Sequence, residues 1–304
     1  MKKEFEPKKI LIPIDFSETS KIALEHAAQI CEKFDSKLYL LHVYTSFNMS
    51  VLPNVDAVSY QPDEEEIKSA ITDEMNVIGQ KFQEKYNIGY QIELRQGSIS
   101  KEISRAAEEA KADMIVMGTH GVSGFEEFFL GSNAYRTVTS AKVPVLTVQG
   151  HADPCGYDRI VVPIDSSTHT RDKVSQVIAL AKKFNSRVFI AGTITEEHEE
   201  EIKIFRLKIK QIEEYLDHLD ILHESELIHG DDVAKMTLKF AKDKKANLIA
   251  IMTEQEPSTG LFMGPYAQQV VNHSKVPVLS VTPISVVESY SQGQLAGDYR
   301  PFNL

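Results

Sequence analysis

The stretch ILIPIDFS (10–17) returns as IVVPIDSS (160–167), identical at five of eight positions after an offset of 150 residues. Each copy is a short apolar run ending in Pro, Ile and Asp. The run MIVMG (114–118), apolar on both alternating faces, is expected to be a central parallel strand covered by helices on either side. The offset persists through KFDSKLYL (33–40) and KFNSRVFI (183–190), so first strand, first helix and second strand are expected to have equal lengths in both copies. Further on, ADMIVMG (112–118) pairs with ANLIAIM (246–252) at offset 134, and KVPVL recurs at 142–146 and 275–279. The fall in offset from 150 to 134 means that the second copy has lost 16 residues in between. Two copies of this size make a duplicated domain and not a short-period solenoid, and the 304 residues suit two cores. Gly150, Pro154 and Gly156 cluster in QGHADPCGY (149–157), which marks the boundary. The expected division is 1–149, 157–283 and a tail, 284–304, outside the repeat.

Within each copy, β-branched runs alternate with helix-period segments, the pattern of parallel strands joined by helical crossovers. In the first copy the strands are expected at about 9–14, 37–43, 88–95, 112–118 and 143–148. The fold class is therefore α/β, as two tandem doubly wound, Rossmann-like parallel sheets of five strands. Ala23, Ala27, Ile30, Cys31 and Phe34 form one helical stripe; Ile103, Ala106, Ala107 and Ala110 form another. In the second copy Ile202, Phe205, Ile209, Ile212, Leu216 and Leu219 form a third, which packs on its own sheet or, alternatively, offers a coiled-coil seam.

Composition narrows the function. Lys and Arg number 33 against 44 Asp and Glu, a formal charge of −11, with no basic block; nucleic acid is an unfavourable partner. No run of 18 apolar residues suggests a membrane span, and the opening MKKEFEPKKI lacks the apolar core of a signal peptide, so a cytoplasmic protein is expected. The two cysteines, Cys31 and Cys155, argue against a disulfide framework. His151, Asp153 and Cys155 lie close together but lack a fourth zinc ligand, and no metal site is assigned.

In an open doubly wound sheet, ligands bind beyond the C-terminal ends of the strands where the strand order reverses, so the loops after strands one and four carry the candidates. The first ends in Pro13, Ile14, Asp15 and Ser17; the second is GTHGVSGFEEFFLGSNAYR (118–136). Its glycines, Gly118, Gly121 and Gly131, let a backbone approach a ligand closely. Ser132 is expected to cap the next helix, whose open amides and dipole favour an anion. Asp15 either contacts a ligand or caps the first helix.

The repeated VPID-like strand, the G-x2-G-x9-G-S loop and the closing VPVL strand resemble the universal stress protein family over nearly the whole chain, in a tandem arrangement. That family shares its fold with adenine nucleotide alpha hydrolases. The resemblance implies ATP, arriving with Mg²⁺, as ligand. It implies Pro13, Ile14 and Asp15 around ribose and base, and Val43 offering its backbone to adenine. It places Met117, Gly118, His120, Gly121, Gly131, Ser132 and Asn133 around the triphosphate. Tyr135 departs from the smaller polar residue often found there. The resemblance also implies pairing of the two copies through their last strands; whether two chains pair further is left open.

In the second copy Met252 and Gln255 replace Gly118 and Gly121, and Pro265 replaces Ser132, removing a hydroxyl and a backbone N–H from the anion seat. Asp165 remains as a cap or a pocket wall. One competent nucleotide site is thus expected, in the first copy. The chain is expected to act as a stress-response regulatory and binding module with at most slow hydrolysis, since no base, orienting group and oxyanion donors assemble in sequence. The alternatives are an interaction scaffold without nucleotide, and an adenine-nucleotide hydrolase, disfavoured by the glycine-free DFSETS (15–20) after strand one. Segment 44–62, absent from the second copy, is expected to be a lid or a partner contact.

Overall fold

A computed structural model of the chain describes residues 4–45, 64–119, 131–152, 154–165, 167, 169–194, 199–253 and 263–283. Most of segment 44–62, most of the glycine loop with His120 and Gly121, Asp153 and the tail 284–304 lie outside the described residues.

The first half runs β1 (Lys9–Pro13), α1 (Glu18–Phe34), β2 (Lys37–Tyr44), α2 (Glu64–Tyr86), β3 (Tyr90–Gln96), α3 (Ile99–Glu109), β4 (Met114–Gly118), α4 (Ser132–Ser140) and β5 (Val145–Val148). The second runs β6 (Arg159–Ile164), α5 (Val174–Phe184), β7 (Arg187–Ile194), α6 (Glu199–His218), β8 (His223–His229), α7 (Val233–Asp243), β9 (Leu248–Met252), α8 (Pro265–His273) and β10 (Val278–Val281). The expected strands of the first copy are all present, with bounds shifted by two residues or fewer. The duplication reaches the backbone: Asp35 and Asn185 end α1 and α5 with the same left-handed φ of 53°.

The two expected sheets are continuous. The described strands form one ten-stranded sheet, β3-β2-β1-β4-β5-β10-β9-β6-β7-β8, parallel within each half and joined by the antiparallel pair β5·β10. Val278, Leu279 and Ser280 face Thr147, Leu146 and Val145, so the two KVPVL copies do pair the halves through their last strands. Three side chains reinforce this seam. Thr147 Oγ1 donates to the Val278 carbonyl at 3.2 Å, Gln149 Nε2 to Val271 at 2.8 Å and Thr282 Oγ1 to Ala141 at 3.1 Å.

Alternation along the strands sorts the core into two layers. Ile10, Ile12, Met114 and Val116 point into one, against α1, α2, α5 and α6. Leu11, Ile115, Met117 and Val145 point into the other, against α3, α4, α7 and α8. The stripe on α6 packs into the first layer, with Phe205, Ile209, Ile212 and Leu216 buried, so it belongs to its own sheet and not to a coiled-coil seam. Each fully buried branched aliphatic contributes roughly 1.5–3 kcal/mol, so the central strands fix the loops at their tips.

One expectation of equal length fails. β2 and β7 each have eight residues, but α1 has 17 and α5 only 11. Residues 169–173 form turns where α1 is already helical. The Asp165 N–H donates to Thr170 Oγ1 at 3.0 Å, tying the turn back to the strand end.

Candidate functional site

Strand order reverses at β1: β2 and β3 lie on one side of it, β4 and β5 on the other. The crevice between the C-terminal ends of β1 and β4 is the topological switch point, and the sequence candidates converge on it. Pro13 ends β1, and the Ile14 N–H continues the ladder by donating to the Leu41 carbonyl at 2.8 Å. Phe16 takes a left-handed φ of 66°, which turns the chain sharply into α1. Asp15 sits in this turn, half-buried, its Oδ1 accepting from the Ser17 N–H at 3.1 Å and the Ser17 hydroxyl at 2.6 Å. Ser17, not Asp15, is the N-cap of α1, accepting from the Ser20 N–H at 3.2 Å. The Asp15 Oδ2 accepts no hydrogen bond from the described residues and is the oxygen open to a ligand hydroxyl.

Sequence reasoning missed a flanking pair. His42 Nδ1 lies 2.7 Å from the Ile14 carbonyl, and the His42 ring packs at 4.9 Å, centroid to centroid, on Phe16. Phe16 packs in the α1 layer, whereas Val43, half-buried near the end of β2, packs in the α3/α4 layer. The only sequence signal was a histidine at an otherwise apolar strand end.

Met117 is buried, its side chain in the α3/α4 layer, so only its backbone is available to a ligand. Gly118 ends β4, and a Cβ there would stand 2.7 Å from Thr19 Cγ2. The close packing of α1 on the tip of β4 is thus one reason for glycine at this position. The glycine loop is then pinned at both ends. Thr119, buried, donates its N–H to Val148 at 3.0 Å, and the Gly131 N–H donates to the Thr119 carbonyl at 2.8 Å.

Gly131 is the N-cap of α4, with φ −55° and ψ 143° and no side-chain capping bond. Ser132 is the first helical residue, exposed, and is therefore not the cap expected from sequence. The first intrahelical bond runs from Tyr135 to Gly131 at 2.9 Å. The amides of Ser132, Asn133 and Ala134 have no acceptor among the described residues, as at any helix start. With the exposed Ser132 hydroxyl they form a donor set suited to one anion. Tyr135 is half-buried against the α3/α4 layer and so does not lie across these amides.

The second half builds the same crevice differently. Gly264 is the N-cap of α8, with φ −60° and ψ 155°, and Pro265 stands at its first position, where Ser132 stands in α4. Proline fits that position and leaves one donor fewer. Asp165 Oδ1 accepts from the Ser167 N–H at 2.8 Å, but Asp165 caps no helix. Instead it stands near Lys173, which is 2% exposed and whose Nζ donates to the Thr170 carbonyl. Burial draws the Lys173 ammonium down to about 8, against the opposing pull of Asp165 and Asp172. The alignment puts Lys173 where the first half has Ala23, a substitution whose meaning only the packed crevice reveals.

The profile of the family described as "Universal stress protein family" matches residues 6–149 and again residues 156–282. The chain belongs to the universal stress protein family. Its two family domains lie in tandem, as the sequence repeat implied. A universal stress protein of Methanocaldococcus jannaschii is 35% identical over 142 residues, spanning 47% of this chain and 82% of that protein. One from Mycolicibacterium smegmatis is 24% identical over 292 residues, spanning 90% of this chain and 97% of that protein, and so is similar across both domains. The crystal structure of a universal stress protein from Archaeoglobus fulgidus superposes with a TM-score of 0.73 over 92% of this chain and 100% of that one, at 20% identity. This last likeness concerns the fold.

Proposed function

We propose that the first domain binds one molecule of ATP and that the protein acts as a cytoplasmic stress-response regulatory module. The observation that carries this reading is the pairing, across the β1/β4 switch point, of an open carboxylate oxygen on Asp15 with the open amides of Ser132, Asn133 and Ala134. A nucleotide has those two needs: an acceptor for ribose hydroxyls and donors for phosphate oxygens. Asp15 takes the ribose, with Pro13 and Ile14 beside it and the Val43 backbone near the base. Gly131, Ser132 and Asn133 take the phosphates, with Gly118 and the loop through His120 and Gly121 alongside. The donor set is neutral, so Mg²⁺ supplies charge compensation as a companion of the triphosphate; among the described residues no cluster of three or more His, Cys, Asp and Glu side chains would hold it.

Binding without efficient turnover is part of the proposal. The His42 Nδ1 is engaged with a main-chain carbonyl, one Asp15 oxygen is engaged with Ser17 and the other is taken by the ribose in this reading, which leaves neither residue to orient and deprotonate a water. In the second domain Pro265 removes a hydroxyl and an amide donor from the same seat. Titration of the purified chain with ATP tests the reading: one site per chain is expected. Two equivalent sites, or no binding at millimolar ATP, would overturn it.

A further inference from the structure

A cleft of about 570 Å³ opens beside the start of β9, three strands along the sheet from β4, and between the C-terminal ends of α7 and α8. Its floor is Leu238, Ala241, Ala246, Ile249 and Val276. The backbone beneath it is satisfied: the Ala246 N–H donates to Ala241 at 2.8 Å and the Lys245 N–H to Lys242 at 3.0 Å. The buried Ser274 hydroxyl donates to the Val276 carbonyl at 2.6 Å, so it offers no free donor to the cleft. The rim is formed by Lys239, Lys242, Lys245, His273 and Lys275, all exposed. Lys239 pairs with Asp243 at 2.6 Å. Among the described residues Lys242, Lys245 and Lys275 have no ion-pair partner, in a chain whose formal charge is −11.

The first domain shows what this place looks like when it is closed. There Glu108 pairs with Lys142 at 3.2 Å, and the hydroxyls of Ser104 and Ser140 hydrogen-bond at 2.7 Å. At the matching positions the second domain carries Lys242 and Lys275, then Leu238 and His273. An ion pair has become two like charges, and a polar clasp has become an apolar wall beside an imidazole.

We propose that this cleft binds a free fatty acid, its acyl chain on the apolar floor and its carboxylate between Lys242 and Lys275. The volume lies inside the roughly 300–1,000 Å³ of small-ligand sites, and a floor without free polar groups suits a hydrocarbon chain and no polar tail. An anionic head relieves the repulsion between the two lysines that the first domain avoids with Glu108. The proposal is independent of the nucleotide reading, since none of its residues lies at the β1/β4 crevice.

Calorimetric titration of the full chain with dodecanoate, below its micelle concentration, tests it. Saturable binding of one dodecanoate per chain is expected, weakening as salt is raised. Acetate and dodecyltrimethylammonium, which carry the head without the chain and the chain with the opposite charge, should bind at least about tenfold more weakly. The double variant Lys242→Glu, Lys275→Glu changes only exposed side chains, and with Leu238→Gln as a separate test of the floor it should lose at least about tenfold in affinity. Equal affinity for the cationic amphiphile, unchanged affinity in the charge-reversed variant, or no saturable binding would each overturn the proposal.

Discussion

Gly118 and Thr19 define how closely α1 approaches the tip of β4: a Cβ on Gly118 would lie 2.7 Å from Thr19 Cγ2 and 3.2 Å from the Thr19 carbonyl carbon. The side-chain contact can be relieved by rotation, but the backbone contact cannot. Gly118→Ala is therefore expected to destabilise the protein by about 1–3 kcal/mol, the usual penalty of overpacking. Adding Thr19→Ala should recover only part of that loss. Chemical denaturation of the single and double variants measures both, and an unaffected Gly118→Ala would mean that α1 can withdraw freely from the crevice.

Ser132 and Pro265 occupy the same helical position in the two domains, and α8 shows that the fold accepts proline there. Ser132→Pro should leave stability within about 0.5 kcal/mol of the parent, as for an exposed substitution without strain. It should also weaken ATP binding by about tenfold or more through the lost amide and hydroxyl. Thermal unfolding and ATP titration on the same preparation separate the two effects. Retained affinity would place the phosphates away from α4.

Much of this architecture is legible in the sequence because duplication acts as an internal control. Two copies of VPID and of KVPVL fix the strand tips and the pairing partners, and patterning alone sorts Ile10 and Ile12 from Leu11. What the repeat hides is contact between segments far apart in the chain. The glycine at 118 reads only as ligand-facing in the sequence; the packing of Thr19 against it, 99 positions away, is a second reason that the repeat does not show. Ser132 reads as a cap because serine favours that position, yet Gly131 takes it, since its N–H closes the loop on Thr119. Lys173 carries no signal in the repeat, and only the packed start of α5 reveals that it is buried.

Thr137 and Val270 occupy matching positions on α4 and α8, both fully buried, and the Thr137 hydroxyl has no hydrogen-bond partner among the described residues. A buried hydroxyl without a partner costs about 1–3 kcal/mol of desolvation, and valine keeps its shape. Thr137→Val is expected to stabilise the protein by about 1 kcal/mol, with ATP binding unchanged. Urea denaturation checks the gain; a loss of stability would show that a bound water satisfies this hydroxyl.

Lys173 gives the second domain a pH dependence with a definite sign. Its ammonium is drawn down to about 8 in the folded chain by burial, against the pull of Asp165 and Asp172, while an unfolded lysine titrates near about 10.4. Between these values the unfolded state binds more protons at this residue, so its contribution to stability rises with pH, by at most about 1.4 kcal/mol per unit. Below about 8 both states are protonated, the slope vanishes, and the buried charge remains a standing cost. Lys173→Met should remove the rise, so the stability difference, wild type minus variant, should climb from pH 8 to 10 and be flat from 6 to 7. Denaturation curves of both proteins across that range decide it, and a flat difference throughout would place this ammonium in contact with water.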